Sequence, residues 1–263
     1  MRNMENKTTP VICFVANFKY LYKNFPRILQ QLRVKGNYKD EIIVITSLTC
    51  PSFLVKYMNK KNNITILRFK KIKFDKLTDR SFANLKVNVN RHKTKNFQWH
   101  KLYLFHSKLK KWPYIFYMDI NMNIHHDVNN LLKETPNNNL LARADGYPNY
   151  KWKLKSQFDS SHPEFNSLAS EFDLEITDYF QTGLIYFDTQ IIEDNTFMSI
   201  MNLIKKYPFS TTNEQGILNL YFIFIKKQYK ELIETLDDKI SYFYWKLSDE
   251  EVIITKALTT KNK

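Results

Sequence analysis

Apolar residues fall along this chain in short uninterrupted runs, separated by stretches with helical spacing. Residues 10–17 (PVICFVAN), 41–46 (EIIVIT) and 64–69 (ITILRF) are runs of strand length. The lack of polar alternation in the first two predicts buried strands, the first buried on both faces, and 64–69 predicts a third strand. Between the first two, Pro26 suits a first helical turn with Asn24 as its cap. Ile28, Leu29 and Leu32 recur at helical spacing, and Gly36 predicts the stop. Pro51 predicts a second helix, from Ser52 to about Lys60. Strand, helix, strand, helix, strand in that order predicts a parallel sheet with right-handed crossovers.

Residues 70–95 are basic and weakly patterned, and predict a loop with a short helix. Apolar residues at 97, 99, 102, 104, 105 and 109 mix periods but fit a helix packed on a sheet. Tyr114 to Met118 predicts a fourth strand, His126 to Glu134 a short helix ended by Pro136, and Leu140 to Ala144 another strand. The polar and aromatic residues 146–175 predict a loop-rich excursion, a common place for binding function. Residues 179–188 (YFQTGLIYFD) start polar and turn apolar at Gly183. Helices are predicted from Thr189 to Lys206 and from Asn213 to about Lys227, the second capped by Thr211 or Thr212. Late strands are predicted between Tyr242 and Ile254. With no internal repeat or linker, the expectation is one α/β domain over 10–255, an extended N-terminus at 1–9 and a polar tail at 256–263.

Composition narrows the classes. Hydrophobic residues are 43% and aromatics 15%, which predicts a globular chain. Only 4 glycines are present, and neither GxGxxG nor GxxxxGK[ST] occurs, so a glycine-rich phosphate loop is excluded. Cys13 and Cys50, in or beside apolar runs, are expected as buried free thiols. The net charge of +14 has three readings: the lysine bias of an AT-rich genome, attraction of a phosphorylated substrate, or nucleic-acid binding. The charges are scattered, so nucleic acid is the least favoured. The longest apolar runs are far shorter than a membrane span and the first residues lack a signal-like apolar core. A soluble, cytoplasmic protein is expected.

The chemistry concentrates where the fourth strand ends. Tyr114 to Met118 leads into Asp119, Asn121 and Asn123. Alternate residues of an extended chain face one side, so Asp119 and Asn121 are predicted to share an ion or a phosphate. The plainer reading is a polar turn, which Asp and Asn favour. His125 and His126 follow directly, as exposed loop residues or as further ligands. His100 and His106, six apart, do not form a ligand set with His92. No HExxH and no G-x-S-x-G occurs. The aromatic stretch from Tyr147 to Phe158, with Trp152, suits either stacking on a sugar or base, or core packing. Glu214 near a helix start complements the helix dipole or faces a substrate.

Three segments in order carry a resemblance. A lysine-bearing segment around Lys101 precedes the strand ending YMDIN (117–121). YFQTGLIYF (179–187) and NEQGILNLYF (213–222) follow. Together they resemble the DxD, Phe-Asn-Ser/Thr-Gly and Asp-Gln-Gly-Leu-Leu-Asn segments of GT-A fold glycosyltransferases, most nearly the glycogenin-like family 8 retaining enzymes. The resemblance covers about residues 10 to 226. It implies a Rossmann-like, mixed but mostly parallel sheet flanked by helices. It further implies transfer of a hexose from a nucleotide-sugar donor, UDP-glucose or similar, with retention, to a glycan, protein or small-molecule acceptor.

By that resemblance Val15, Ala16 and Asn17 would border the nucleotide base, and Lys101 would lie near the donor phosphates. Asp119 and Asn121 would hold a divalent cation, Mn2+ or Mg2+. Thr182 and Gly183 would line the donor, and Gln181, Glu214 and Gln215 would form the catalytic group beside the sugar. The chain departs from the pattern at Asn121 and Glu214, where the family has aspartates. It also lacks the late His-x-x-Gly-x-x-Lys-Pro-Trp element, for which Tyr244, Trp245 and Lys246 are a faint counterpart. These departures leave room for a descendant that binds nucleotide-sugar or glycan without catalysis.

Overall fold

The computed structural model describes residues 10–51, 63–85, 95–146, 150–232 and 252–256. The helix expected at 52–60, His92, most of the late-strand region and the terminal segments lie outside these residues.

A seven-stranded sheet organises the chain. Its strands are β1 (Val11–Val15), β2 (Ile42–Ser47), β3 (Ile64–Phe69), β4 (Tyr114–Met118), β6 (Leu140–Ala144), β7 (Phe180–Asp188) and β8 (Tyr229–Glu231), while β5 (Met122–Ile124) and β9 (Ile254–Lys256) pair apart from it. The order is β3-β2-β1-β4-β7-β6-β8. β3, β2, β1 and β4 are mutually parallel, β7 is antiparallel to β4 and β6, and β8 is parallel to β6. This is the mixed, mostly parallel sheet that the sequence predicts.

Strand alternation splits the apolar runs between two cores. Val11, Cys13, Ile43, Ile45, Ile115, Tyr117, Ile185 and Phe187 face one, and Ile12, Phe14, Ile42, Val44, Phe116, Met118, Leu184 and Tyr186 face the other. Both cysteines are buried free thiols, as expected.

The helices depart from the sequence expectation more than the strands do. Asn17 caps α1 (Phe18–Lys23), accepting from Tyr20 N at 2.9 Å, before α2 (Phe25–Val34) begins with Pro26 in its first turn. The left-handed residue after α2 is Asn37, at φ 49°, rather than Gly36. Asp75 caps α3 (Lys76–Asn84), the short helix expected within the basic stretch.

The segment expected as an α-helix at 97–109 is instead 3-10 in two pieces, Asn96–Phe105 and Ser107–Lys111. Every side chain from Trp99 to Phe105 is buried, so this segment has no solvent face and no amphipathic period to set. The short helix expected from His126 is one 3-10 turn, Val128–Asn130, capped by Asp127. The excursion at 146–175 contains a 3-10 turn (Leu154–Gln157) and α4 (Phe165–Glu171). The helix expected from Thr189 begins later, as α5 (Thr196–Lys206). The last predicted helix is a short α6 (Glu214–Asn219) that widens into a π-helical turn, Leu220–Ile225. Neither Thr211 nor Thr212 caps it. Asn213 does, with φ 56° and no side-chain cap bond.

Candidate functional site

The parallel strands deliver their carboxyl ends to one edge of the sheet. This is the edge at which open α/β sheets bind ligands. β1 and β4 pair as far as Cys13–Tyr117, so Val15 and Asp119 leave the sheet level with one another. β7 enters at the same edge, where Asp119 N donates to Gly183 O at 2.7 Å. β6 ends beside it, with Asp145 N donating to Tyr179 O at 2.8 Å.

Lys101 lies at the centre of this edge. Its Nζ is 3.1 Å from Asp119 Oδ1 and 3.0 Å from Glu214 Oε1, and it donates to Thr182 O at 3.0 Å. Thr182 Oγ1 donates to Glu214 Oε1 at 3.1 Å, and Tyr117 OH donates to Asp119 Oδ1 at 2.6 Å. The side chains of Lys101 and Glu214 are 7% and 2% exposed, while that of Asp119 is 19% exposed. Among these charges, Asp119 is therefore the one open to solvent.

Burial works against the charge on Lys101, but Asp119 and then Glu214 outweigh it and hold its pKa above the ordinary value. Burial would likewise raise the Asp119 pKa. Lys101, Lys256 and the Tyr117 hydroxyl overcome that and hold it below the usual carboxylate range. Burial, reinforced by the Asp119 charge, pushes the Tyr117 phenol well up, so it remains a proton donor.

Of the residues singled out from sequence, Lys101, Asp119, Thr182, Gly183, Glu214 and Gln215 come together. Gln215 Oε1 accepts from Thr182 N at 3.1 Å, and its Nε2 donates to Gln157 Oε1 at 2.9 Å. Gln181, of opposite strand parity to Thr182, instead donates to Asp145 Oδ1, and Tyr179 OH donates to the other oxygen of Asp145. Val15, Ala16 and Asn17 stand at the end of β1, with Asn17 engaged in capping α1.

The three amine hydrogens of Lys101 meet three protein acceptors, which removes it from direct contact with a phosphate. Glu214 Oε2 is the reverse case: buried, with no hydrogen-bond partner among the described residues. Sequence reasoning missed Tyr117, Asp145, Gln157 and Lys256. Tyr117, two before Asp119, had a parity signal; the other three are distant in sequence and carry no local motif.

The chain after Asp119 does not continue as a strand. Met122 N donates to Asp119 O at 3.1 Å, closing a turn with Asn121 at its corner. Strand alternation therefore does not place Asn121 beside Asp119, which corrects the sequence argument. Asn123 accepts from Arg27, which also donates to Met122 O at 2.9 Å. His125 Nε2 is 2.8 Å from Thr255 Oγ1, and His126 is exposed.

No group of three or more His, Cys, Asp or Glu among the described residues could hold a metal ion. The turn offers one carboxylate, already held by Lys101 and Tyr117, and one neutral amide, with Arg27 and Lys256 also at hand. Mg2+ or Mn2+ takes one or two carboxylates with substrate phosphates and water, so a cation here would compete with the Lys101 ammonium for Asp119.

No protein-family model and no curated protein sequence matches the chain. Solved glycosyltransferase structures do. An active-site mutant of LgtC superimposes with a TM-score of 0.56 at 14% identity, covering 94% of this chain and 86% of that one. The bifunctional glycosyltransferase WbbM gives 0.55 at 16% identity, covering 100% of this chain. The glycosyltransferase GlyE of Streptococcus pneumoniae TIGR4 gives 0.54 at 14% identity, covering 96%. The chain spans about half the length of the last two, 48% and 55%. These likenesses establish the fold: the sheet order and flanking helices are those of the GT-A glycosyltransferases.

Proposed function

We propose that this chain is a glycosyltransferase that moves a hexose from a nucleotide-sugar donor, UDP-glucose or a close analogue, to a hydroxyl of a glycan, protein or small-molecule acceptor, with retention. The observation that carries the reading is the buried Glu214–Lys101–Asp119 cluster at the carboxyl edge of a GT-A sheet. A crystal structure of the galactosyltransferase LgtC, with a TM-score of 0.53 at 13% identity, holds donor and acceptor sugar analogues. That likeness motivates the choice of donor class.

In this reading the bond from the anomeric carbon to the diphosphate breaks, and its electron pair leaves with the phosphate. The sugar passes through an oxocarbenium-like state and is captured by the acceptor oxygen, which gives its proton to the departing diphosphate oxygen. In this reading Glu214, whose Oε2 is buried without a partner among the described residues, supplies negative charge near the developing positive carbon. Lys101 is a positioning residue that fixes both carboxylates and Thr182. Gln215 and Gln157 hold the rim beside Thr182, and Gln181 with Asp145 supplies polar groups for sugar hydroxyls. Asp119, partly open at the edge, orients the donor. Val15 and Ala16 would border the base.

The test is release of nucleoside diphosphate from a panel of UDP- and GDP-sugars, with and without simple glycosides as acceptors. Glu214→Gln should lower turnover by about 100-fold or more, the scale of losing one electrostatic stabiliser. Asp119→Ala should abolish turnover and keep the cooperative melt. Unaltered turnover in either variant would remove these residues from the reaction. Donor binding without turnover under any condition would favour a non-catalytic nucleotide-sugar binding protein.

A further inference from the structure

The region after Asp119 is ringed by positive charge. Lys101 is within ion-pair distance of Asp119. Arg27 binds the backbone of Met122 and the amide of Asn123. β9 pairs antiparallel with β5 in a register that sets Lys256 opposite Met122, directly after the Asp119 turn. These cations differ in what they have left to offer. Lys101 is buried and its donors are used, and Arg27 is engaged with the turn itself. Lys256 is half-buried and near enough for its charge to act on Asp119 without closing an ion pair. It is thus a cation near the cluster, held on a paired strand.

A divalent ion here would have to displace Lys101 from Asp119 or share its one carboxylate against neighbouring ammonium groups. A diphosphate, by contrast, would meet Lys256 with complementary charge, which it would share with Asp119.

We propose that the diphosphate of the nucleotide ligand is neutralised by Lys256, and that the site binds its ligand without a divalent metal. The proposal rests on the nucleotide-sugar reading of the site. It adds to it the identity of the counter-charge and the dispensability of the cation. The chemistry is a point-charge contact of an ammonium with phosphate oxygens, as lysine makes elsewhere.

Calorimetric titration of UDP, GDP, CDP and ADP into the full chain tests this, in EDTA and again in excess MnCl2. For at least one nucleotide the Kd should agree between the two conditions within about twofold. In EDTA, Lys256→Gln should weaken that binding about tenfold or more, and Lys256→Arg should keep most of it. Thermal melts of both variants should match the parent, since Lys256 is on a short strand outside the main sheet. Binding that needs manganese, or a Lys256→Gln variant that binds as the parent does, would overturn the proposal while leaving the nucleotide-sugar reading in place. Failure of all four nucleotides under both conditions would overturn both.

Discussion

Asn219 grips the backbone of Phe180 with both ends of its amide: Nδ2 donates to Phe180 O at 2.9 Å and Oδ1 accepts from Phe180 N at 2.8 Å. A fully buried side chain here does the work of a neighbouring strand at the first residue of β7. The same helix carries Glu214 and the same strand carries Thr182. The clasp therefore sets the spacing on which the Glu214–Thr182–Lys101 contacts depend.

Asn219→Ala should cost about 2–4 kcal/mol, because it removes both bonds to Phe180 and the 2.9 Å bond from Nδ2 to Gln215 O, and leaves both polar groups of Phe180 unsatisfied. Urea unfolding would measure the loss. A cost near zero would mean that the Phe180 peptide finds other partners and that the clasp does not hold the helix in place.

Removing the central cation should be worse than removing one hydrogen bond. Lys101→Met keeps length and volume but leaves Glu214 buried without its counter-charge. Breaking a buried ion pair from one side costs about 3–5 kcal/mol. The double variant Lys101→Met with Glu214→Gln should recover part of that, since the charge left without Lys101 is then only that of Asp119, which is partly open to solvent and still bonded by Tyr117. A double-mutant cycle read by chemical denaturation checks this, and strict additivity of the two losses would argue against coupling.

Strands and their order were legible because both-face burial leaves a plain mark: PVICFVAN and EIIVIT have no polar alternation to confuse. Lys101, Asp119 and Glu214 were legible as a set only through the family-like segments around them, because their contacts cross 18 to 113 residues of chain. Lys256 left no signal, since its place follows from the β5–β9 pairing. The helices misled where burial is complete. A stretch such as 99–105, apolar or neutralised on every side, has no solvent-facing stripe from which to read a period. Asn121 misled for a different reason: alternation was extrapolated past the last residue of the strand into a turn.

Gly216 is needed for close approach. A Cβ there would lie 2.8 Å from Ser210 Oγ and 3.0 Å from Phe158 Cζ. The buried Ser210 hydroxyl already donates to Asn213 O at 2.7 Å, so it cannot give way freely. Gly216→Ala would gain helix propensity of about 1 kcal/mol. Overpacking of about 1–3 kcal/mol acts against that gain. The net expectation is destabilisation, a lower Tm by differential scanning fluorimetry, together with weaker donor binding because Gln157 lines the same contact. A raised Tm would show that the 154–157 turn adjusts.

His100 gives a prediction with a defined pH window. It is 1% exposed, neither ring nitrogen has a hydrogen-bond partner among the described residues, and it stacks on Phe97 at 4.1 Å between ring centroids. Burial, with the Lys71 charge in support, pushes its pKa down from 6.5 to about 4. The unfolded chain therefore binds a proton near pH 6.5 that the folded chain refuses until about pH 4. Stability from this residue is complete above pH 6.5, drains away as the pH falls to about 4, and changes no further below that. The whole effect is on the order of 3 kcal/mol. His100→Phe keeps the stacking and removes the titration. Its urea midpoint should fall less steeply than the parent's between pH 6.5 and 4, and at pH 8 the variant should be as stable as the parent or more so, since two unpartnered polar atoms leave the core. Parallel acid limbs for the two proteins would show that His100 titrates normally in the fold.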